Sequence, residues 1–220
     1  MNVYEDIRRA ILDGNPQQVK EAVRKALILQ YPPESILKDG LIMGMEMLAY
    51  KFRDNTISVP EALLTSRAFN IGLKVLTPHL KISDKPKTYR AVIGTVEGDL
   101  HDIGKNLVKT YISTLDIDVV DLGVDVSKEI FAEAVRNYKP HILLISTLLL
   151  TSLEEITNVI NELKRQNLRD DVIIFVGGLP VTPEFAKESG ADYYSGSALE
   201  LRNFLEKNLA KMLRVKKSNI

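Results

Sequence analysis

Apolar positions recur along this chain at two different periods, and the period changes near residue 80. Ahead of that point the spacing is helical. A first helix is predicted around residues 3–13. Asn15 then supplies an N-cap with Pro16 at the first helical position. Val19, Ala22, Val23, Ala26 and Leu27 follow at three- and four-residue steps, the stripe of a half-buried helix. Pro32–Pro33 ends that segment, and a third helix, about 33–54, turns Ile36, Leu37, Leu41, Met45 and Leu48 inward. Ser58–Val59–Pro60–Glu61 opens a fourth, which carries Leu63, Leu64, Ala68, Phe69, Gly72, Leu73 and Leu76 and closes at Pro78. Residues 1–80 therefore predict a small antiparallel four-helix bundle.

Residues 81–89, KISDKPKTY, are polar and charged, contain Pro86 and predict a linker. Beyond it, short apolar runs alternate with amphipathic stretches. The runs are Ala91–Val96, Ile117–Leu122, Ile142–Leu148, Val172–Val176 and a weaker Tyr193–Ser195. Helical patterns follow them at about 103–115, 127–138, 153–166, 182–189 and 197–213. Five strand–helix repeats predict an α/β domain over residues 90–214, a doubly wound, five-stranded parallel sheet of flavodoxin-like, Rossmann-like order. Residues 215–220 are read as a frayed tail.

Composition narrows the chemistry. Cysteine is absent, which excludes disulfides, thiolate zinc sites, iron–sulfur clusters and a cysteine nucleophile. Lys+Arg and Asp+Glu are both 29 in 220 residues, so no overall basic field exists to attract nucleic acid. No apolar run approaches the ~18 residues of a membrane span. The N-terminus lacks a basic start followed by an apolar stretch, and a soluble, cytoplasmic protein is expected. Only His79, His101 and His141 offer imidazoles. His79 follows Pro78 at a helix end, where a cation suits the helix dipole, and His141 opens a strand after Pro140; neither is given a role.

In open α/β sheets, ligands bind beyond the carboxyl ends of the strands where strand order reverses, which for the order 2-1-3-4-5 lies between strands one and three. The residues with unusual chemistry fall there. Strand one runs into Glu97-Gly98-Asp99-Leu100-His101-Asp102-Ile103-Gly104, strand three into Ser146-Thr147-Leu148-Leu149-Leu150-Thr151-Ser152, and strand four into Gly177-Gly178. Two readings stand for each. Asp99 or Asp102 caps the helix from Ile103 and leaves His101 solvated, or Asp99 orients His101 as a metal ligand. Gly177–Gly178 is a turn, or bare backbone against which a bulky ligand lies. One histidine without cysteine does not readily assemble a zinc site, whereas a metal already held in an organic macrocycle needs a single protein ligand. Gly98 and Gly104 do not form the dinucleotide fingerprint, and no Walker sequence is present.

Taken together, D-x-H-x-x-G (Asp99, His101, Gly104), then 41 residues, S-x-L (Ser146, Leu148), then 28 residues, and G-G (Gly177, Gly178) resemble the signature of cobalamin-binding domains. The strings GTVEGDLHDIGKNLV and VVDLGVDV resemble the corrinoid proteins of methyl-transfer systems and the cobalamin domain of cobalamin-dependent methionine synthase. VPEALLTSRAFNIGLKVLTPHL resembles the helical cap that precedes that domain. The resemblance spans about residues 1–215.

It implies cobalamin bound with its dimethylbenzimidazole base detached, His101 taking the vacated axial position on the corrin-held cobalt, and Asp99 orienting that imidazole. Ser152, six residues after Ser146, would complete a Ser/Thr–Asp–His relay. Ser146 and Leu148 would line the pocket for the nucleotide tail, and Gly94, Gly104, Gly177 and Gly178 would admit it. Thr95, Glu97, Gly98, Leu100, Asp102, Ile103 and Thr151 would also contact the cofactor, as would Val59 from the cap. Related proteins commonly read S-x-L-L-T-T-T-M; Leu150 stands here where a threonine would donate a hydrogen bond, with Thr151 and nearby backbone to compensate. Met43, Met45 and Met47 fill the bundle core, sit half exposed or meet the corrin, and Phe52 and Leu63 fill the bundle core or meet the corrin.

The implied function is a corrinoid methyl carrier, a non-catalytic subunit of a methyltransferase system, with its cofactor alternating between methylcobalamin and cob(I)alamin. It would accept the methyl group from a substrate-specific methyltransferase and pass it to a second that acts on tetrahydrofolate or coenzyme M, with a reductive activase as a further partner. The linker 81–89 would be the hinge that lets the cap move aside. The alternatives are a cobalamin-dependent sensor, for which no basic DNA-binding face is evident, and the cobalamin subunit of a mutase, which the helical cap argues against.

Overall fold

The computed structural model describes residues 2–54, 56–80 and 87–218, leaving aside the side chains at 49, 52, 53, 59 and 214–218. The side chains of Phe52 and Val59 and most of the linker expected at 81–89 therefore lie outside what the structure describes. The chain divides into two compact units, residues 1–82 and 83–220.

The first unit is helical: α1 (Val3–Leu12), α2 (Pro16–Ile28), α3 (Pro33–Ser35), α4 (Met43–Arg53) and α5 (Val59–Leu76). Its helix starts are set by side chains that satisfy the free N–H groups of the first turn. Asn15 Oδ1 accepts from the N–H of Gln17 and Gln18, both at 3.1 Å. Ser58 and Glu61 form a reciprocal capping box at α5. Ile7, Ile11, Val19, Leu41, Phe69 and Leu76 make the buried core.

One expectation in this unit is modified and one fails. The third helix runs unbroken over residues 33–53, as expected, but Ile36–Ile42 winds as π-helix between α3 and α4. On this stretch Gly40 and Gly44 pack on α1, since a Cβ at either would come within 3.2 Å of Ile7 or 2.9 Å of Ile11. Leu63, expected in the bundle core, is 66% exposed. It precedes the buried Thr65 by two residues, about 200° around the helix from the stripe that continues through Ala68, Phe69, Leu73 and Leu76. Met43 and Met47 are likewise exposed, and Met45 is half-buried.

The described residues of the second unit form a five-stranded, all-parallel sheet in the order β2-β1-β3-β4-β5. The strands are β1 (Tyr89–Thr95), β2 (Ile117–Asp121), β3 (Ile142–Ser146), β4 (Ile173–Gly177) and β5 (Tyr193–Tyr194). Helices α6 (Ile103–Ser113), α7 (Lys128–Tyr138), α8 (Leu153–Arg165), α9 (Pro183–Ser189) and α10 (Ala198–Ser218) alternate with them. Strand alternation separates two cores. Val92, Leu143, Ile145, Ile174 and Val176 pack with Phe131 of α7 and Val159 of α8 on one face. Ala91, Ile93, Leu144 and Phe175 pack with Ile112 of α6 and Leu201 and Leu205 of α10 on the other.

The strands shift from their expected bounds by a residue or two, and the shift at the end of β3 is informative. β3 ends at Ser146 rather than Leu148, because the N–H groups of Leu148 and Leu149 turn away from the ladder to the carboxylate of Asp99. Helix α10 runs to Ser218, so the helix continues through residues 215–218, where a frayed tail was expected.

Candidate functional site

The three sequence motifs leave the sheet side by side. Thr95 at the end of β1 lies opposite Ser146 at the end of β3, which lies opposite Gly177 at the end of β4. Beyond Thr95 the chain turns at Gly98, whose φ of +78° belongs to the left-handed region that favours glycine. The Gly98 N–H donates to Asp125 Oδ1 at 2.7 Å. The Thr95 hydroxyl donates to the His101 carbonyl at 3.0 Å, fastening the loop back onto the strand.

Within this loop Asp99 is buried completely. Its Oδ1 accepts from the N–H of His101 at 2.9 Å and lies 2.6 Å from His101 Nδ1. Its Oδ2 accepts from the Thr147 hydroxyl at 2.8 Å and from the N–H of Leu148 at 2.6 Å and Leu149 at 3.3 Å. Burial pushes the Asp99 carboxyl up. The backbone N–H groups of His101 and Leu148, then the His101 ring and the Thr147 hydroxyl, outweigh it and hold the carboxyl at about 2. An ionised Asp99 can only accept, so the hydrogen bond assigns the proton of a neutral His101 to Nδ1 and leaves the Nε2 lone pair free. The His101 side chain is half exposed, and Nε2 has no hydrogen-bond partner among the described residues. Neither Asp99 nor Asp102 caps α6 through its side chain; Asp102 Oδ2 instead accepts from Asn106 Nδ2 at 2.9 Å.

Next to this loop a cavity of about 460 Å³ opens over the sheet between α6 and α10, within the ~300–1,000 Å³ usual for small-molecule sites. Gly104, Ser146, Leu148, Gly177 and Gly178 border it, together with Phe175, Tyr194 and Leu201. At Gly104 a Cβ would meet no heavy atom within 4 Å, so the helix presents open space there. Gly177 and Gly178 are bare for a different reason: a Cβ would stand 2.8 Å from the Ser195 carbonyl oxygen and 1.7 Å from that of Thr147. The paired glycines let the neighbouring loops close on β4, and they border the cavity as a consequence. Gly94 does not belong with them. Its bare face looks to the opposite side of the sheet, where a Cβ would lie 2.7 Å from the Phe131 ring.

Lys105, also on the cavity wall, is buried with its Nζ 2.7 and 2.9 Å from the two oxygens of Asp121 and 2.9 Å from Asn106 Oδ1. Lys109 reaches the same carboxylate at 3.1 Å. Burial pushes Asp121 up, and the hydrogen bonds of Lys105, the Gly123 N–H and Lys109 bring it below the usual carboxylate range.

The remaining candidates separate. Ser152 is buried but turned to Gly98, where its Oγ would lie 3.2 Å from an added Cβ; the hydroxyl bonded to Asp99 is that of Thr147. Glu97 and Thr151 are exposed, and Ile103 is half-buried at the start of α6. Leu100, Leu148, Leu150 and Leu179 form exposed apolar positions at the strand ends, with Leu100 73% and Leu179 84% accessible. His79 is exposed in the helical unit. His141 lies at the opposite end of the sheet, where its Nδ1 accepts from the Arg90 N–H at 3.1 Å and its ring meets Tyr89 edge-on. Sequence reasoning missed Thr147, Lys105 with Asp121, and the aromatic wall of Phe175 and Tyr194. A hydroxyl at the middle position of S-x-L, and a lysine directly after Gly104 with an aspartate ending β2, were the available signals.

Among the described residues no three His, Asp or Glu side chains are grouped to hold a metal ion. An imidazole nitrogen without a hydrogen-bond partner among the described residues, three positions before the cavity wall at Gly104, suits a ligand that brings its metal in its own cage. No helix among the described residues is long and apolar enough to cross a membrane.

The chain matches two family models, both described as a B12 binding domain, over residues 89–201 and 3–77. It is 36% identical over 193 residues to the trimethylamine corrinoid protein of Methanosarcina barkeri, across 87% of this chain and 89% of that one. Its structure is similar to that of the monomethylamine corrinoid protein of the same organism, with a TM-score of 0.81, 32% identity and coverage of 91% and 95%. It is also similar to a chain of the methanol:cobalamin methyltransferase complex from Methanosarcina barkeri, with a TM-score of 0.53, 25% identity and coverage of 94% and 80%.

Proposed function

The chain belongs to the B12-binding corrinoid proteins of methyltransferase systems, its cofactor is cobalamin, and we propose that it carries methyl groups between two partner methyltransferases. When bound, the corrin-held cobalt supplies the centre that takes up a methyl group and gives it away. The residues of this chain bind, orient and tune. His101 Nε2 is the protein atom that would hold the cobalt. Asp99 fixes the ring through Nδ1–H and raises its strength as a ligand, the usual work of a carboxylate behind a metal-bound histidine. Proton uptake by the imidazole would release the metal, since only a neutral ring nitrogen coordinates.

Gly104, Ser146 and Leu148 border the cavity that we assign to the nucleotide tail. The exposed leucines at the strand ends are the apolar surface that a corrin would cover. To the helical unit, which has its own match to a B12 binding domain, we assign the exclusion of water from the reactive methyl group. The names of the relatives support a methylated amine as the first donor, delivered by a substrate-specific methyltransferase. The second partner would pass the group to coenzyme M or tetrahydrofolate, and a reductive activase would restore cobalt that has been oxidised.

The observation that carries this reading is the 2.6 Å contact between His101 Nδ1 and a carboxylate that is itself buried and held from both oxygens. It is tested by loading the full chain with cobalamin, reducing it, and adding trimethylamine-, dimethylamine-, monomethylamine- or methanol-specific methyltransferase with its substrate. The expected result is one methylation of bound cobalamin per chain with one of these enzymes, followed by transfer to the second acceptor. Absence of uptake, or uptake without methylation by any of them, would overturn it.

A further inference from the structure

We infer that Thr147, rather than Ser152, is the positioning residue that holds Asp99 in register with His101. The inference rests on the reading of His101 as the cobalt ligand for its consequence, though not for its geometry. A carboxylate turns easily about its last bond, because this sp³–sp² torsion has a broad, shallow profile; its plane is set by its partners. For Asp99 those partners are divided. Oδ1 is taken up entirely by His101, through its N–H and its ring. Oδ2 is taken up entirely by residues 147–149.

Of the donors to Oδ2, only Thr147 acts through a side chain. The Leu149 N–H is distant at 3.3 Å and is shared with the Thr147 hydroxyl at the same distance. Without that hydroxyl, Oδ2 keeps a single short bond, from the Leu148 N–H. Losing the second short bond loosens the plane about its Oδ1 contacts to His101.

Thr147 is well placed to serve as a rigid pin. It is buried, its N–H donates to the Gly177 carbonyl at 3.3 Å, and its own carbonyl lies against the backbone of Gly178. The second glycine of the pair, with φ of +129° and no room for a Cβ, is what permits that approach. The G-G motif at the end of β4 therefore reaches His101 through packing: Gly178 seats Thr147, Thr147 holds Asp99, and Asp99 orients the ring. Ser152 stands outside this chain of contacts, against Gly98.

The test compares Thr147→Val, Thr147→Ser and Ser152→Ala in the full chain with two readouts. In the unloaded protein, solvent exchange of the His101 Nδ1 proton, followed by NMR, reports whether Asp99 holds the ring. Thr147→Val should speed it about tenfold, the equivalent of one hydrogen bond to a charged group, Thr147→Ser should restore it, and Ser152→Ala should leave it unchanged. After loading with cobalamin, the ratio of His-ligated to unligated cobalt, read from the visible spectrum, should fall roughly threefold to tenfold in Thr147→Val, less than loss of a direct partner to a metal ligand produces. Thr147→Ala replaces the valine variant if that one does not fold. A Thr147→Val protein with wild-type exchange, or a Ser152→Ala protein with the faster one, overturns the inference. Failure of the wild-type chain to take up cobalamin would instead sink the functional reading, and the unloaded readout would still decide the role of Thr147.

Discussion

Replacing Asp99 by asparagine removes the charge on which the loop is built while keeping the size of the side chain. In the native protein the carboxyl is held at about 2 against an ordinary 3.8. That difference is equivalent to about 2.5 kcal/mol of native-state stability at neutral pH. The direction in pH follows from the sense of the change. A depressed carboxyl contributes in full above its unfolded-state value near 4, and the contribution fades as pH falls towards 2. The amide of Asp99→Asn adds a second penalty that does not vary with pH, because its NH₂ must face either the His101 donors or the N–H groups of Leu148 and Leu149. Urea titrations followed through amide signals of β1 and β3 measure both. Asp99→Asn should lose about 3 kcal/mol or more at pH 7, and the gap to wild type should narrow by about 2 kcal/mol between pH 4.5 and pH 2. A gap that stays constant over that interval would show that Asp99 is not held as an anion by its five donors.

Other substitutions separate cofactor room from packing. Gly104→Val projects into open space, so the fold should hold while cobalamin uptake, measured by equilibrium titration, weakens by roughly tenfold or more. Gly94→Ala drives a methyl group into the Phe131 ring on the other face of the sheet. It should lower stability by about 1–3 kcal/mol in thermal or urea unfolding, with cobalamin affinity per folded chain unchanged. Lys105→Met leaves Asp121 with Lys109 and the Gly123 N–H. The Asp121 carboxyl should rise, visible by carbon NMR, and stability should fall by up to about 3 kcal/mol, the low end for a broken buried pair.

How far the sequence reaches is clearest at the row Thr95–Ser146–Gly177. Strand and helix lengths set the spacing of the three motifs, and parallel pairing then brings their ends into register, so the juxtaposition was legible before any coordinates. Strand parity was legible too, and applying it to Gly94 would have placed that residue with Val92 and Val96, facing Phe131. The role of Thr147 was harder to read. Its hydroxyl matters only because β3 leaves the ladder one residue earlier and folds its N–H groups onto Asp99, a choice made by a residue 48 positions away. The π-helical turn at Ile36–Ile42 was invisible for a similar reason: the pattern of apolar residues there fits an ordinary helix, and the packing of Gly40 and Gly44 on α1 belongs to tertiary structure. Leu63 was misplaced because the α5 stripe is narrower than its composition suggests.

The protein ligand to cobalt can be identified directly. A single axial nitrogen splits the electron paramagnetic resonance lines of cobalt(II) corrinoids into triplets when it is ¹⁴N and into doublets when it is ¹⁵N. Chain produced with ¹⁵N-histidine, loaded with unlabelled cobalamin and reduced by one electron, should give doublets, and His101→Ala should abolish them. Triplets in the labelled protein would mean that the cofactor's own base remains on the metal and that His101 is not its partner.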